Sequence, residues 1–365
     1  MGSIDRRPNG TWRARWREAA NGEQHARHFD RRRDAEQFLA QVSSDLLRGE
    51  YVDPSRGRIT LADYVEQWRR GQVHRATTAE QVDGHLRNHI LPAFGTRPMA
   101  SVLPTEVQRW VKALSEKLAP ATVEVVYRYF AAIFRCAVDD RIISSSPCRN
   151  IRLPKAPPRL ISPPSVDEVR ALADAMPKHL RALVLFAAGT GARQGECFGL
   201  TLDRIDFLRR SVRIDRQLVT LRGSQRFTPP KTASSVRSVP LPQVVIDVMA
   251  AHLASYPAAQ SEFVFRPEQS SALRRGRVNE AFRKAARASG VSDDVTFHDL
   301  RHFYASLLIR SGCSVKVVQT RLGHKNASET LDTYSHLWPD DEDRTRAAVD
   351  AAFSPTSGLL SARSE

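Results

Sequence analysis

Cysteine is scarce in this 365-residue chain: Cys136, Cys148, Cys197 and Cys313 stand far apart, with no C-x-x-C pair among them. That spacing argues against a thiolate zinc site or a disulfide framework, and reduced, buried thiols are the expectation. No run of about 18 apolar residues is available to cross a bilayer, and no charged start followed by an apolar core resembles a signal peptide. An intracellular protein is expected. Acidic charge is also in deficit, with 40 Asp and Glu against 55 Lys and Arg, a formal net charge of +15 and a pI near 10.2. The carboxylates form no cluster of the kind a metal-dependent nuclease needs, and no internal repeat is evident.

What is present suits a folded protein. An apolar fraction of 41% and a charged fraction of 26% are those of an ordinary globular chain. Its length exceeds what one core usually organises, so two or three domains are expected. The positive excess is mainly arginine, spread along the whole length. Guanidinium suits phosphate, and each neutralised phosphate releases counterions, so nucleic acid leads as partner and anionic membrane follows.

In "TWRARWR", Trp12, Ala14 and Trp16 alternate with Arg13, Arg15 and Arg17. A strand would put aromatics on one face and an arginine ladder on the other. "ANGE" reads as a hairpin turn and "QHARHF" as the returning strand. Ala35, Phe38, Leu39, Val42 and Leu46 then follow helical spacing, predicting one helix on the aromatic face. A β-ribbon fits the DNA major groove, which gives the ladder a use beyond solvation.

After the turn-rich "GEYVDPSRGRIT", residues from about 60 to 148 read as an all-helical domain. Leu61, Tyr64, Val65 and Trp68 share a face, "TEVQ" at Thr105 fits a capping box, and Tyr129, Ala132, Ile133 and Cys136 line a stripe. "PCRNIRLPKAPPRLISPPS" is proline-rich and should stay extended between domains. "SVDE" at Ser165 fits another capping box, and "HLRALVLFAAGTGARQGECFGL" reads as a buried helix, a glycine turn and a second helix. Alternation in "RRSVRIDRQLV" and "RFTPPKTASSVRSVPLP" suits strands. Gly290, Gly312 and Gly323 each stand where a helix would stop.

"FHDLRHFYASLL" concentrates the chemistry. His298 and His302 are four apart, as in H-E-x-x-H, but Asp299 replaces the glutamate and Arg301 would set a cation beside a metal. A zinc site, with His324 as third ligand, is the weaker reading. Arg301 lies about 60° around the helix from His298, so guanidinium and imidazole can reach one phosphate. "GTGARQGE" adds Arg193 at a glycine turn, "TPPKTASSVRSVPL" adds Lys231 near a hairpin tip, "LGHKN" adds His324 after a helix stop, and "TLDTYSHL" adds Tyr334.

Taken in order, "TGARQGE", "PPKTASSVRSVPL", "FHDLRHFYAS" and "LGHKNASETLDTYSH" resemble a tyrosine recombinase of the phage-integrase family. The resemblance implies that Arg193 and Arg301 clamp the scissile phosphate, that Lys231 is the general acid, and that His298 and His324 complete the site around the nucleophile Tyr334. Glu196 and His302 fall at supporting positions. It implies a multidomain, mainly α fold with small β-sheets. An arm-binding sheet-plus-helix domain would span 1–55, a helical core-binding domain 60–148, a proline-rich linker 149–161, a mixed, mostly helical catalytic domain 162–353 and a disordered tail 354–365. Arg13, Arg15 and Arg17 would then touch DNA. The implied activity joins and excises a phage or other mobile element through a 3′-phosphotyrosine, without metal, ATP or other cofactor. The implied partners are double-stranded DNA, at core and arm-type sites, and a homo-tetramer assembled there. An excision factor and a host DNA-bending protein remain open as partners, and a bacterial cytoplasm, near the nucleoid, is the expected location. The rivals are a resolvase of replicon dimers, which would ordinarily lack the N-terminal sheet domain, and a DNA-binding protein without catalysis.

Overall fold

The computed structural model describes residues 2–18, 22–155, 161–230, 232–259, 262–267, 272–338 and 342–353. Contacts divide the chain into two compact units, Met1–Pro158 and Arg159–Glu365. The architecture is mainly helical with small antiparallel sheets.

The first unit opens with a three-stranded sheet, β1 (Ser3–Arg6), β2 (Trp12–Arg17) and β3 (Gln24–Phe29), in that order. The alternation in β2 works as expected: Ala14 and Trp16 are buried under α1 (Arg32–Arg48), where the Trp16 and Phe38 rings meet edge to face at 5.1 Å. The strand β1 is an addition to the two predicted. Four residues carry too little pattern to be read alone, but Asn9-Gly10, with Gly10 at φ 86°, lets the chain reverse onto β2. Of the predicted "ANGE" turn, residues 20–23, the first two lie outside the described residues.

Five α-helices continue the unit among the described residues: α2 (Leu61–Arg70), α3 (Ala76–His85), a π-helical turn at Leu86–Ile90 leading into α4 (Leu91–Phe94), then α5 (Pro104–Ser115) and α6 (Pro120–Asp139), which pack around one core. Leu61, Tyr64, Val65 and Trp68 face it as predicted. Two local expectations need correction. The helix α5 starts at Pro104, whose missing N–H costs nothing there, and Glu106 accepts from the Leu103 N–H at 3.0 Å, so Thr105 is inside the helix rather than its cap. The buried stripe of α6 is Val123, Val126, Phe130, Ile133, Phe134 and Ala137, while Tyr129, Ala132 and Cys136 flank it half-buried. Phe94, Trp110, Phe130 and Phe134 pack ring on ring at 4.8–5.4 Å and outweigh the stripe's smaller members.

The second unit is built on α8 (Lys178–Thr190), which packs against α7 (Val166–Ala175), α10 (Gln243–Ser255) and α12 (Asp299–Arg310). Ser165 and Glu168 form the predicted reciprocal cap on α7, at 3.2 and 2.7 Å. After α9 (Gln194–Phe198) come β4 (Ile205–Asp206), β5 (Ser211–Ile214), β6 (Gln217–Leu221), β7 (Ser224–Thr228) and β8 (Arg237–Pro240). They form a β4-β5-β8 sheet and a separate β6-β7 hairpin. The helices α11 (Arg275–Ala288), α13 (Val315–Leu322), α14 (Ala327–Tyr334) and α15 (Glu342–Phe353) complete the unit. Gly290, Gly312 and Gly323 take φ of 73°, 76° and 68° just past α11, α12 and α13, as their spacing predicts. Residues 149–155 are irregular, whereas 156–160 of the proline-rich segment and the tail 354–365 lie outside the described residues.

Phe130 is fully buried at the centre of the aromatic group. Phe130→Ala should destabilise the helical core of the first unit by about 3–5 kcal/mol, seen as a lowered Tm in a thermal melt followed by circular dichroism.

Candidate active site

The turn from α8 to α9 is tight because Gly191 sits at φ 64°, and a Cβ there would come within 2.5 Å of the Tyr304 ring. It turns two groups toward one place: the Gly191 carbonyl and, at the cap of α9, Arg193. Glu196, in the first turn of α9, accepts from the Arg193 backbone N–H at 2.8 Å and from its Nη1 at 3.2 Å. The Arg193 side chain keeps 32% of its surface exposed, so its guanidinium remains open to solvent.

Arg301 behaves differently. It is 2% exposed, in the first turn of α12, and donates from Nη1 to the Gly191 carbonyl at 2.8 Å and from Nη2 to the Leu322 carbonyl at 2.6 Å. Among the described residues no carboxylate pairs with it. Burial, then the charges of Arg193 and Arg237, bring its pKa down to about 9, against a partial offset from Glu196. It stays protonated at neutral pH. A buried cation held by dipoles alone is a site in want of an anion.

Tyr334, the last residue of α14, is 1% exposed. Its Oη lies 2.7 Å from His302 Nδ1, and its ring stacks on His324 at 6.3 Å with an interplanar angle of 7°. Burial pushes its pKa up to about 12 despite the opposing charges of Arg301 and Arg193. His324 is buried, its Nδ1 2.8 Å from Thr330 Oγ1, and burial followed by the positive charge of Arg301 lowers its pKa to about 4. His298 precedes α12 with its residue surface exposed. The desolvation imposed by its protein neighbours, then Arg301, Arg193 and Arg275, hold its pKa below the ordinary histidine value. Arg193, Arg301, His298, His302, His324, Tyr334 and Glu196 therefore belong to one electrostatic neighbourhood.

Two placements differ from the sequence reading. His302, expected only as support, is the group on the tyrosine hydroxyl. Among the described residues the one histidine and carboxylate group able to share an ion is Glu18, His25 and Asp53, in the first unit. Lys231 lies outside the described residues. The tip of the β6-β7 hairpin is at Arg222-Gly223, so the "PPKTASS" segment follows the hairpin as the β7 to β8 connection.

Arg13, Arg15 and Arg17 do share the face of β2 away from α1, but they are not a free ladder. Asp5 on β1 stands opposite Arg13 and binds its Nη2 at 2.9 Å and Arg15 Nε at 3.2 Å, while Arg17 donates to the Gly22 carbonyl. The carboxyl of Asp5 is held below its usual range, chiefly by its hydrogen bond from Arg13. One residue of this neighbourhood was not singled out from the sequence. Arg237, on β8, pairs with Glu196 through both Nη atoms at 2.8 and 3.2 Å. The signal was an arginine in "VRSVPL" at a position that alternation turns inward together with Val239.

The sequence profile of the Phage integrase family matches residues 165–340, and that of the Phage integrase central domain matches 60–153. A putative prophage phiRv2 integrase of Mycobacterium tuberculosis is 29% identical over 318 residues, covering 84% of each chain. In fold, the chain resembles the Tn1549 transposon integrase in complex with a circular intermediate DNA, with a TM-score of 0.66, 21% identity and coverage of 80% of this chain and 99% of that one. It also resembles the lambda integrase tetramer bound to a Holliday junction, with a TM-score of 0.57, 19% identity and coverage of 93% and 95%.

The His324 shift fixes a pH dependence. Its folded pKa is about 4 against an ordinary 6.5, so the unfolded chain takes up its proton first on acidification. The stabilisation is complete above about pH 6.5 and is lost as pH falls through 4. Tm should fall across that window, and His324→Gln should flatten the curve; an unchanged slope would assign the titration to another group.

Proposed function

From the premise that the chain belongs to the phage integrase family, whose members cleave and rejoin DNA as tyrosine recombinases, we propose that it integrates and excises a mobile element through a covalent 3′-phosphotyrosine. The observation that carries this reading is the buried, uncompensated Arg301 beside the partly exposed Arg193, with Tyr334 bonded to His302 in the same site. A phosphodiester repels nucleophiles and gathers charge on its equatorial oxygens as it is attacked. The two guanidinium groups answer both problems.

Tyr334 Oη attacks phosphorus and forms the P–O bond while the bond to the 5′ oxygen breaks. With its pKa near 12, the hydroxyl needs a proton acceptor, and His302 Nδ1, 2.7 Å away, takes the proton when the ring carries its own on Nε2. His298 lies at the site's exposed rim beside Arg301, where it binds the phosphate. Lys231 protonates the departing 5′ oxygen. The phosphotyrosine keeps the energy of the broken bond, so the 5′ hydroxyl of another strand reverses the step without ATP or metal. His324, neutral at physiological pH, fixes the tyrosine ring by stacking.

Residues 1–55 serve as the arm-type DNA-binding domain and 60–148 as the core-binding domain, with 162–353 catalytic and the C-terminal segment exchanged within a tetramer on two DNA sites. The lambda integrase tetramer on a Holliday junction supports that assembly by likeness of fold. Among the described residues no helix is long and apolar enough to cross a membrane. The sheet in front of the core-binding domain favours integration over resolution of replicon dimers.

On a nicked suicide substrate, Tyr334→Phe should retain DNA binding and give no covalent adduct; a surviving adduct removes Tyr334 as nucleophile. The native chain should form the adduct in EDTA, where a zinc hydrolase would fail. Deleting residues 1–55 should spare core cleavage and weaken binding to accessory sites in a gel-shift assay, and unchanged accessory binding would refute the domain assignment.

A further inference from the structure

Arg237 lies outside the set that touches DNA in the mechanism above, and its side chain is only 3% exposed. Its guanidinium nevertheless reaches three segments. Both Nη atoms meet Glu196 at 2.8 and 3.2 Å, Nε donates to the Arg321 carbonyl at 2.8 Å, and Nη1 also donates to the Ser235 carbonyl at 3.0 Å. Each contact supports a different part of the site. Glu196 holds Arg193 by backbone and side chain. Arg321 belongs to the last turn of α13, whose next residue gives its carbonyl to Arg301 and whose stop precedes His324. Ser235 lies in the connection from β7 to β8, its hydroxyl 2.9 Å from that of Thr232.

The packing around the stem is equally close. Gly323 has φ 68°, and a Cβ there would lie 3.1 Å from the Ser234 carbonyl oxygen and 3.2 Å from Arg237 Cδ. The turn before His324 is thus pressed against Arg237 and the backbone of Ser234 and Ser235. A second strap, from Arg321 Nη1 to the Ser238 carbonyl at 2.9 Å, ties α13 to β8.

A buried arginine and glutamate pair contributes little net stability, because desolvating both charges offsets their attraction. What a planar fork with five donors gives is fixed direction. We propose that Arg237 is the positioning residue of the recombination site, setting Arg193, the α13 turn and the stretch Thr232–Ser235 in register through one guanidinium. The inference rests on the recombinase reading. It predicts a specific failure: without Arg237, Glu196 loses its main partner and turns both oxygens onto Arg193, drawing off the guanidinium meant for phosphate.

The test is single-turnover cleavage of a suicide DNA substrate at saturating protein, with binding affinity and Tm measured in parallel. Arg237→Gln should bind DNA within about twofold of the native chain and cleave about 100-fold more slowly, the scale of a misplaced catalytic group. Arg237→Lys, which keeps charge without the fork, should also cleave slowly, and it carries the comparison if Arg237→Gln does not fold. Arg237→Gln combined with Glu196→Gln should cleave faster than Arg237→Gln alone, a recovery that a purely structural role would not give. Native cleavage rates in Arg237→Gln or Arg237→Lys, or a double variant no faster than the single one, would overturn the proposal. No adduct from the native chain would instead overturn the recombinase reading.

Discussion

A buried positive charge without a counterion is the constraint around which the second unit is arranged. Arg301 is held by two carbonyls, those of Gly191 and Leu322, which belong to the ends of α8 and α13. Both are helix C-termini, where carbonyls lack helical partners and the helix dipole is negative. The same glycine stops that end these helices therefore aim acceptors at the guanidinium. Helix endings read from sequence as punctuation are, in the fold, the ligands of the central cation.

The charge balance extends from there. Arg193 and Arg237 pair with one buried carboxylate, Glu196, which reaches Arg301 only through its field. Burial works to raise the pKa of Glu196, but its hydrogen bonds and the charges of Arg237 and Arg193 hold it below the ordinary value, so the acid stays ionised. Three cations and one buried anion leave an excess, which Asp299 at His298 and Glu329 at His324 offset only in part. The lowered pKa values of His298 and His324 register that excess after burial has acted. A neutral imidazole can donate one proton and accept another, so the same field that attracts phosphate keeps the histidines in the form that can pass protons.

Much of this was legible in the sequence because it depends on local order. The helix stops, the Ser165 cap, the turn at Gly191 and the sequence of Arg193, His298, Arg301, His324 and Tyr334 all follow from motifs a few residues long. Most of what failed depended on partners far away in the chain. Arg237 and Glu196 are 41 positions apart, and Asp5 reaches Arg13 only because an unpredicted strand pairs with β2. His302 was underrated because periodicity places it on the helix face but does not say which residue of α14 arrives there. Thr105 lost its cap role to Leu103 because Pro104 can begin a helix, a choice made by one ring and one absent proton.

The tyrosine exposes the limit of a purely electrostatic account. Arg301 and Arg193 favour phenolate, yet burial outweighs them and leaves the pKa at about 12. In the proposed reaction the phosphate then arrives and neutralises part of the charge that was helping. The field at Tyr334 is thus weaker at the moment of attack than in the empty site, and the arginines alone become less able to free the hydroxyl as they become better able to hold its target. A proton acceptor in direct contact escapes that trade, because its effect does not pass through the arginines. His302 Nδ1 meets the condition by distance, and its adjacency to Arg301 in "LRHF" means that the same helical turn carries the phosphate clamp and the base.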